Sequence, residues 1–306
     1  MRKPPFLQPN DKVAIVAPAR KVSFTEMQAA IKIVESWGVE VVLGKNLFNV
    51  HNIFAGTDEE RAEDLQTMLD DPEIKAIICA RGGYGTLRII DKLDFTKFIE
   101  NPKWLVGFSD VTALHCHLST LGIQSIHGAM PLLFPRQTEK TIESLRKALF
   151  GEQIEIIAHP HKDNILGTAR GELVGGNLTL FANAIGTPSE VNTTNKILFL
   201  EDINEYLYHL ERMMIHLKRA KKLQNLAGLI VGQFTDVKDN ELGFGRDIHE
   251  IIVELVKEYH YPVCFDFPIG HERNNMTMIC GSEALLEIEK ERVRLQYLYS
   301  EHNNKP

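Results

Sequence analysis

The chain has little that would mark it for secretion, a membrane or nucleic acid. Among its 306 residues there are only four cysteines, Cys79, Cys116, Cys264 and Cys280, and none forms a Cys-x-x-Cys pair. Three lie in or beside apolar runs and Cys116 falls within a helical pattern, so they read as reduced, buried thiols in a reducing compartment. A chain of this length buries enough surface to need no disulfide or metal staple. No stretch approaches the ~18 apolar residues that span a bilayer. The Pro-rich segment Met1 to Asn10 lacks the apolar core of a signal peptide. A formal charge of −7 implies no broad basic surface and no phosphate-backbone partner. The local run Lys218-Arg219-Ala220-Lys221-Lys222 reads as the cationic end of a helix. The expectation is a cytoplasmic protein with no nucleic-acid or membrane partner.

What is present is alternation. Apolar β-branched runs at Lys12–Ala17, Val39–Leu43, Lys75–Ala80 and Lys103–Val106 are separated by helical patterns at Phe24–Trp37 and from Thr57 to Leu69. Thr57 and Glu60 have the spacing of a capping box. Strands alternating with helices imply parallel pairing, an open α/β layer with both faces covered. The pattern loosens around Gly151–Gly171, which divides the chain into an N-terminal domain (1–150), a connection (151–170) and a C-terminal domain (171–306). The second half is more mixed. Gly175-Gly176-Asn177 opens a helix through Ala184, Lys196–Leu200 and Gly228–Phe234 read as strands, and Tyr206–Lys222 and Arg246–Tyr259 as helices. Val263–Phe267 reads as a strand, and Ala284–Tyr297 alternates with a break at Glu289–Glu291, as a hairpin does.

Three residues at strand ends could work together. Ser109 follows Trp104-Leu105-Val106-Gly107 and precedes Asp110 and a run of helix formers. A serine at such a strand-to-helix turn presents its hydroxyl beside helix N–H groups that lack partners. The competing reading is that Ser109 and Asp110 only cap the helix. His271 leaves a buried run on Gly270, and Glu201 ends the run Ile197–Leu200. A carboxylate there is costly unless paired, and an imidazole N–H is a suitable partner. Taken singly, Glu201 also fits a rim carboxylate or cap, and His271 a satisfied loop histidine. Working groups in open parallel sheets gather beyond the carboxyl ends of strands, where all three fall.

Arg81-Gly82-Gly83-Tyr84-Gly85 follows the Lys75–Ala80 run. It fits backbone donors for an oxyanion, with Arg81 near a substrate carboxylate, or simply a tight turn. There is neither a G-x-x-x-x-G-K-[ST] loop nor a G-x-G-x-x-G after the first strand, so no nucleotide cofactor is expected. No metal is expected either. His115 and His117 do not share a helix face, and His159 and His161 have no carboxylate or Cys at ligand spacing.

Together these segments resemble the LD-carboxypeptidases, serine peptidases that trim muropeptides. The resemblance runs from about Asn10 to beyond Gly281, and rests on Asp11–Pro18, Arg81–Gly85, Gly107–Asp110, Gly175–Leu178, Glu201-Asp202, and Gly270-His271 with Asn275 and Thr277. It implies an N-terminal α/β sandwich and a C-terminal β-rich α/β domain with the site at their junction. It implies Ser109 as nucleophile, His271 as general base and Glu201 as its orienter. Backbone N–H groups of Asp110 and Gly83 would hold the oxyanion, and Arg81, Gly82 and Tyr84 would meet a muropeptide substrate. A homodimer without cofactor is also implied. A sister branch cleaves peptidyl-nucleotide antibiotics, but no extra aromatic loop for stacking a purine is evident. Two departures are Ala19 where the family often has Ser, and Met278-Ile279-Cys280-Gly281 where it often has Leu-Pro-Ile-Gly.

Overall fold

The computed structural model describes residues 1–298. In chain order the first half runs β1 (Lys12–Val16), α1 (Phe24–Glu35), β2 (Glu40–Leu43), α2 (Asp58–Asp70), β3 (Ile74–Cys79), α3 (Thr96–Glu100), β4 (Trp104–Gly107), α4 (Thr112–Thr120), β5 (Ser125–His127) and α5 (Glu139–Phe150). The second half runs β6 (Glu155–Ala158), β7 (Gly167–Asn177), α6 (Leu178–Asn183), β8 (Ile197–Ile203), α7 (Leu207–Arg219), β9 (Gly228–Thr235) and α8 (Ile248–Val256). It closes with β10 (Val263–Cys264), β11 (Met278–Cys280), β12 (Glu283–Ile288) and β13 (Val293–Tyr297).

Local chemistry explains most boundaries. Ser23 with Glu26, Thr57 with Glu60, and Asp247 with Glu250 form reciprocal capping boxes on α1, α2 and α8. β3 is almost continuously buried, as a strand covered on both faces must be. The first sheet has the order β11-β5-β4-β3-β1-β2 and is parallel except for β11. The second, β10-β9-β8-β7-β12-β13-β6, is parallel from β10 to β7 and antiparallel beyond. This is the expected α/β architecture: a parallel N-terminal sheet and a β-rich mixed one. One buried apolar cluster unites Val13, Ile78 and Trp104 of the first sheet with Leu173, Phe199 and Ile230 of the second. Among the described residues, no helix is long and apolar enough to cross a membrane. All four cysteines are free and buried, and burial pushes their thiols up.

Several segments differ from the reading of sequence. The stretch 151–170, expected as connection, carries β6 and the opening of β7. β11 falls within 171–306 but pairs antiparallel with β5, so the chain after His271 returns to the first sheet. β8 does not stop at Leu200; a register shift between Leu200 and Asp202 carries it to Ile203 and leaves Glu201 inside the strand. A bulge there inserts a residue and re-aims side chains. Of Val263–Phe267 only Val263–Cys264 pairs as strand. Asp266, at φ 52°, has left the extended region.

Candidate active site

β4 ends at Gly107, and a short 3₁₀ turn from Ser109 to Val111 leads into α4. Ser109 has φ 61°, a left-handed conformation that costs an L-residue roughly 1–2 kcal/mol. Neither Ser109 nor Asp110 caps the helix: α4 has no side-chain cap, and the buried Asp110 carboxylate instead accepts the backbone N–H of Thr86 at 2.9 Å. That bond ties the serine turn to the Arg81 loop. Gly82 closes the contact, since a Cβ there would lie 3.3 Å from Asp110 N, Phe108 O and Ser109 Cβ. Any larger residue would press on the strained turn. Neither Gly83 nor Asp110 uses its backbone N–H on a partner among the described residues.

The opposite wall comes from the second half. Glu201 is fully buried, and its Oε2 lies 2.7 Å from Nδ1 of His271. The imidazole packs against Phe108, the residue before Ser109, at 4.8 Å between ring centroids. Ser109 and His271 are thus brought to one place, although no hydrogen bond joins their side chains among the described residues. Such bonds are often long in substrate-free enzymes. Burial depresses the His271 pKa, but the charge and hydrogen bond of Glu201 outweigh it, and the net shift is upward. Glu201 thus favours the protonated form of this imidazole.

Residues singled out only as motif members prove to be the supports. The side-chain oxygen of Asn275 accepts the N–H of Gly270 at 3.0 Å, holding the residue before His271. The Asn275 N–H donates to Thr141 Oγ1 at 3.1 Å, and Thr277 bonds Ser144 at 2.9 Å, so α5 carries this segment. Asp202 accepts from Asn177 Nδ2, Thr179 N and Thr179 Oγ1 at 2.8–2.9 Å and fastens the start of α6. Burial, and then the charge of Glu201, push its pKa up to about 6. Gly176, at φ 139°, lets β7 approach α4: a Cβ would fall 2.5 Å from Thr112 Oγ1, and the next N–H donates to that oxygen at 3.0 Å. The two halves therefore meet directly behind the serine.

Sequence reasoning missed His115 and Arg20. His115 Nε2 lies 2.8 Å from Gly107 O and Nδ1 2.8 Å from Ser125 Oγ, bracing the end of β4. Burial lowers its pKa to about 4, so it is neutral near pH 7. Nothing in its local spacing points to that role. Arg81 turns back to donate to Lys21 O at 3.1 Å. Its pKa is pulled down by burial and by the neighbouring Arg20. The exposed Arg20 lies across Gly83, where a Cβ would come 2.6 Å from Arg20 Cδ. Tyr84 is 46% exposed and stands at the rim, its ring 6.0 Å from Phe54. Two guanidinium groups thus flank the glycine turn.

Comparison with known proteins finds similar chains over most of this one's length. Residues 13–128 match the LD-carboxypeptidase N-terminal domain and residues 170–286 the LD-carboxypeptidase C-terminal domain. A probable murein peptide carboxypeptidase of Bacillus subtilis is 34% identical over 93% of this chain and 91% of its own length. The murein tetrapeptide carboxypeptidase of Pseudomonas aeruginosa is 32% identical over 92% and 94% respectively. The crystal structure of muramoyltetrapeptide carboxypeptidase from Oxalobacter formigenes superposes with a TM-score of 0.85 at 30% identity, covering 94% of this chain and 98% of that one.

Proposed function

The chain belongs to the LD-carboxypeptidase family, and from that premise we propose that it is a serine carboxypeptidase releasing terminal D-alanine from murein tetrapeptides. One observation carries the residue assignment: His271, bonded to the buried Glu201 at 2.7 Å, packs on the residue preceding the left-handed Ser109. In this reading Nε2 of His271 takes the proton of Ser109 as Oγ attacks the carbonyl of the third residue. Glu201 holds the Nδ1–H tautomer and stabilises the imidazolium that forms. The N–H groups of Asp110 and Gly83 face the developing oxyanion. His271 then returns the proton to the departing D-alanine amine, and water releases the acyl-enzyme by the same steps.

An L–D bond presents its leaving group with reversed handedness, so the cleft must fix the free D-alanine carboxylate. Arg20 and Arg81 supply the positive charge for that clamp, with Gly82 allowing close approach and Tyr84 at the rim. The free, buried thiols fit a reducing, cytoplasmic setting in which recycled muropeptides are trimmed.

The test is release of D-alanine from tetrapeptides with lysine or diaminopimelate in third place, with tri- and pentapeptides alongside. Tetrapeptides should yield one D-alanine each and tripeptides none. If Ser109→Ala released D-alanine as fast as the parent chain, the assignment would be wrong.

A further inference from the structure

Away from this site, distant segments converge on imidazoles and carboxylates that the proposed reaction does not use. His161 lies between β6 and β7, His249 is on α8, and Asp266 follows β10. One ligand atom from each lies within 4.8 Å of the other two. His249 Nε2 is 3.0 Å from Asp266 Oδ1, and His161 Nε2 is 3.6 Å from Asp266 Oδ2. The rings stand 4.6 Å apart, and both pack on Phe265. We infer that this is a site for a divalent transition metal of the zinc type, ligated by His161, His249 and Asp266.

The geometry fits the ion. Metal–ligand bonds of about 2.0–2.2 Å in a tetrahedron place neighbouring ligand atoms roughly 3.3–3.5 Å apart. The two imidazole nitrogens stand 3.0 and 3.6 Å from separate oxygens of Asp266, and the three ligand atoms, all within 4.8 Å, would close onto an ion by side-chain rotation. Two imidazoles with one carboxylate suit zinc, cobalt, nickel or copper, whereas calcium and magnesium prefer oxygen alone. The outer partner is also present. His161 Nδ1 lies 3.3 Å from the Asp163 N–H and 3.6 Å from Asp163 Oδ2, an oxygen buried without a hydrogen-bond partner. In the structure Nδ1 accepts the Asp163 N–H; coordination at Nε2 would move the ring proton to Nδ1, which would exchange that bond for donation to the Asp163 carboxylate, the orientation common among ligating histidines. Asp266 reaches the imidazoles from a left-handed φ of 52°, a conformation that aspartate adopts more readily than most residues. Its carboxylate is 54% exposed, leaving room for water as a fourth ligand.

The position suggests what the ion would do. Asp266 heads the run Phe267–Gly270 that delivers His271, and the site would pin that run to α8 and to the β6–β7 connection. The reading of sequence set aside a metal at His161 because no ligand lay at local spacing. Here the partners come from remote parts of the chain.

Chelator-stripped full-length protein titrated with Co(II), then Zn(II), tests the site by visible absorption and thermal unfolding. The expected result is one equivalent bound per chain, a d–d band displaced by zinc, and a saturable rise in Tm. His249→Ala should abolish the band and the Tm rise, and Asp163→Asn should weaken binding about 10–100-fold. No stoichiometric binding by the parent chain would overturn the proposal. So would equal binding by a folded His249→Ala, or a His249→Ala stability loss that is the same with and without metal. None of these readouts depends on peptidase turnover, so they stand or fall apart from the proposed reaction.

Discussion

The two sides of the candidate site are built in different ways. On the serine side, Gly107 to Thr112 are consecutive, and the strained turn is braced from the Arg81 loop by the Asp110–Thr86 bond and by Gly82. On the histidine side, the His271–Glu201 pair joins residues 70 apart, and α5 supports it through Asn275. The first wall stores strain in a short segment; the second depends on long-range packing and on a charge kept out of water. Damage to the first should therefore remove chemistry while sparing the fold. Damage to the second should alter chemistry, pH response and stability together.

The sharpest contrast comes from Ser109→Ala, expected to lower kcat by on the order of 10⁴ or more with Tm close to the parent. A comparable fall in Tm would blur the distinction between the walls. Glu201→Gln should cost about 10³–10⁴ in kcat. Because Glu201 raises the His271 pKa, parent activity should be lost on acidification through a value above the ordinary 6.5, and in Glu201→Gln that acid limb should move to lower pH. The sign for stability is opposite. A folded-state pKa above the unfolded one contributes stability in acid, and that contribution is lost as pH rises through the folded value. A pH–rate profile unmoved by Glu201→Gln would break the assignment of Glu201 as orienter.

Arg20→Ala should lower kcat/KM about 10–100-fold, mainly through KM, since charge-assisted bonds contribute about 1.5–3 kcal/mol. Arg81→Ala, whose guanidinium is partly engaged by Lys21 O, should cost less. Steady-state kinetics on tetrapeptides would rank them. Asn275→Ala leaves the Gly270 N–H unpaired in a buried place, and urea unfolding should show a loss of about 1–3 kcal/mol. Smallest is Ser109→Gly. Relief of the left-handed strain, partly offset by glycine's entropy, should raise stability by roughly 0.5–1 kcal/mol without turnover. No gain would mean that the serine wall stores no strain.

How much was legible follows the same division. The Thr57–Glu60 capping box, the β3 and β4 runs, the serine turn and the β12–β13 hairpin all depend on neighbours in sequence, and all were readable from it. Ser109, Glu201 and His271 could be singled out as strand-end residues, but the extension of β8 past Glu201 could not, because a bulge depends on the partner strand. Asn275 and Thr277 appeared only as motif letters; their partners, Thr141 and Ser144, lie on a helix far away in the chain. The return of β11 to the first sheet and the gathering of His161, His249 and Asp266 left no periodic trace at all.

By itself, the sequence determined most of the N-terminal elements, their α/β order and the place of the serine at a strand-to-helix turn. Backbone sterics, hydrophobic period and capping act over a few residues and are written there. Only the tertiary structure decided which distant residues come together at the candidate site, which carboxylate holds which imidazole, and where the arginines stand. Those choices follow from burial of one shared core and from the cost of leaving Glu201 unpaired, and both are properties of the whole chain packed together.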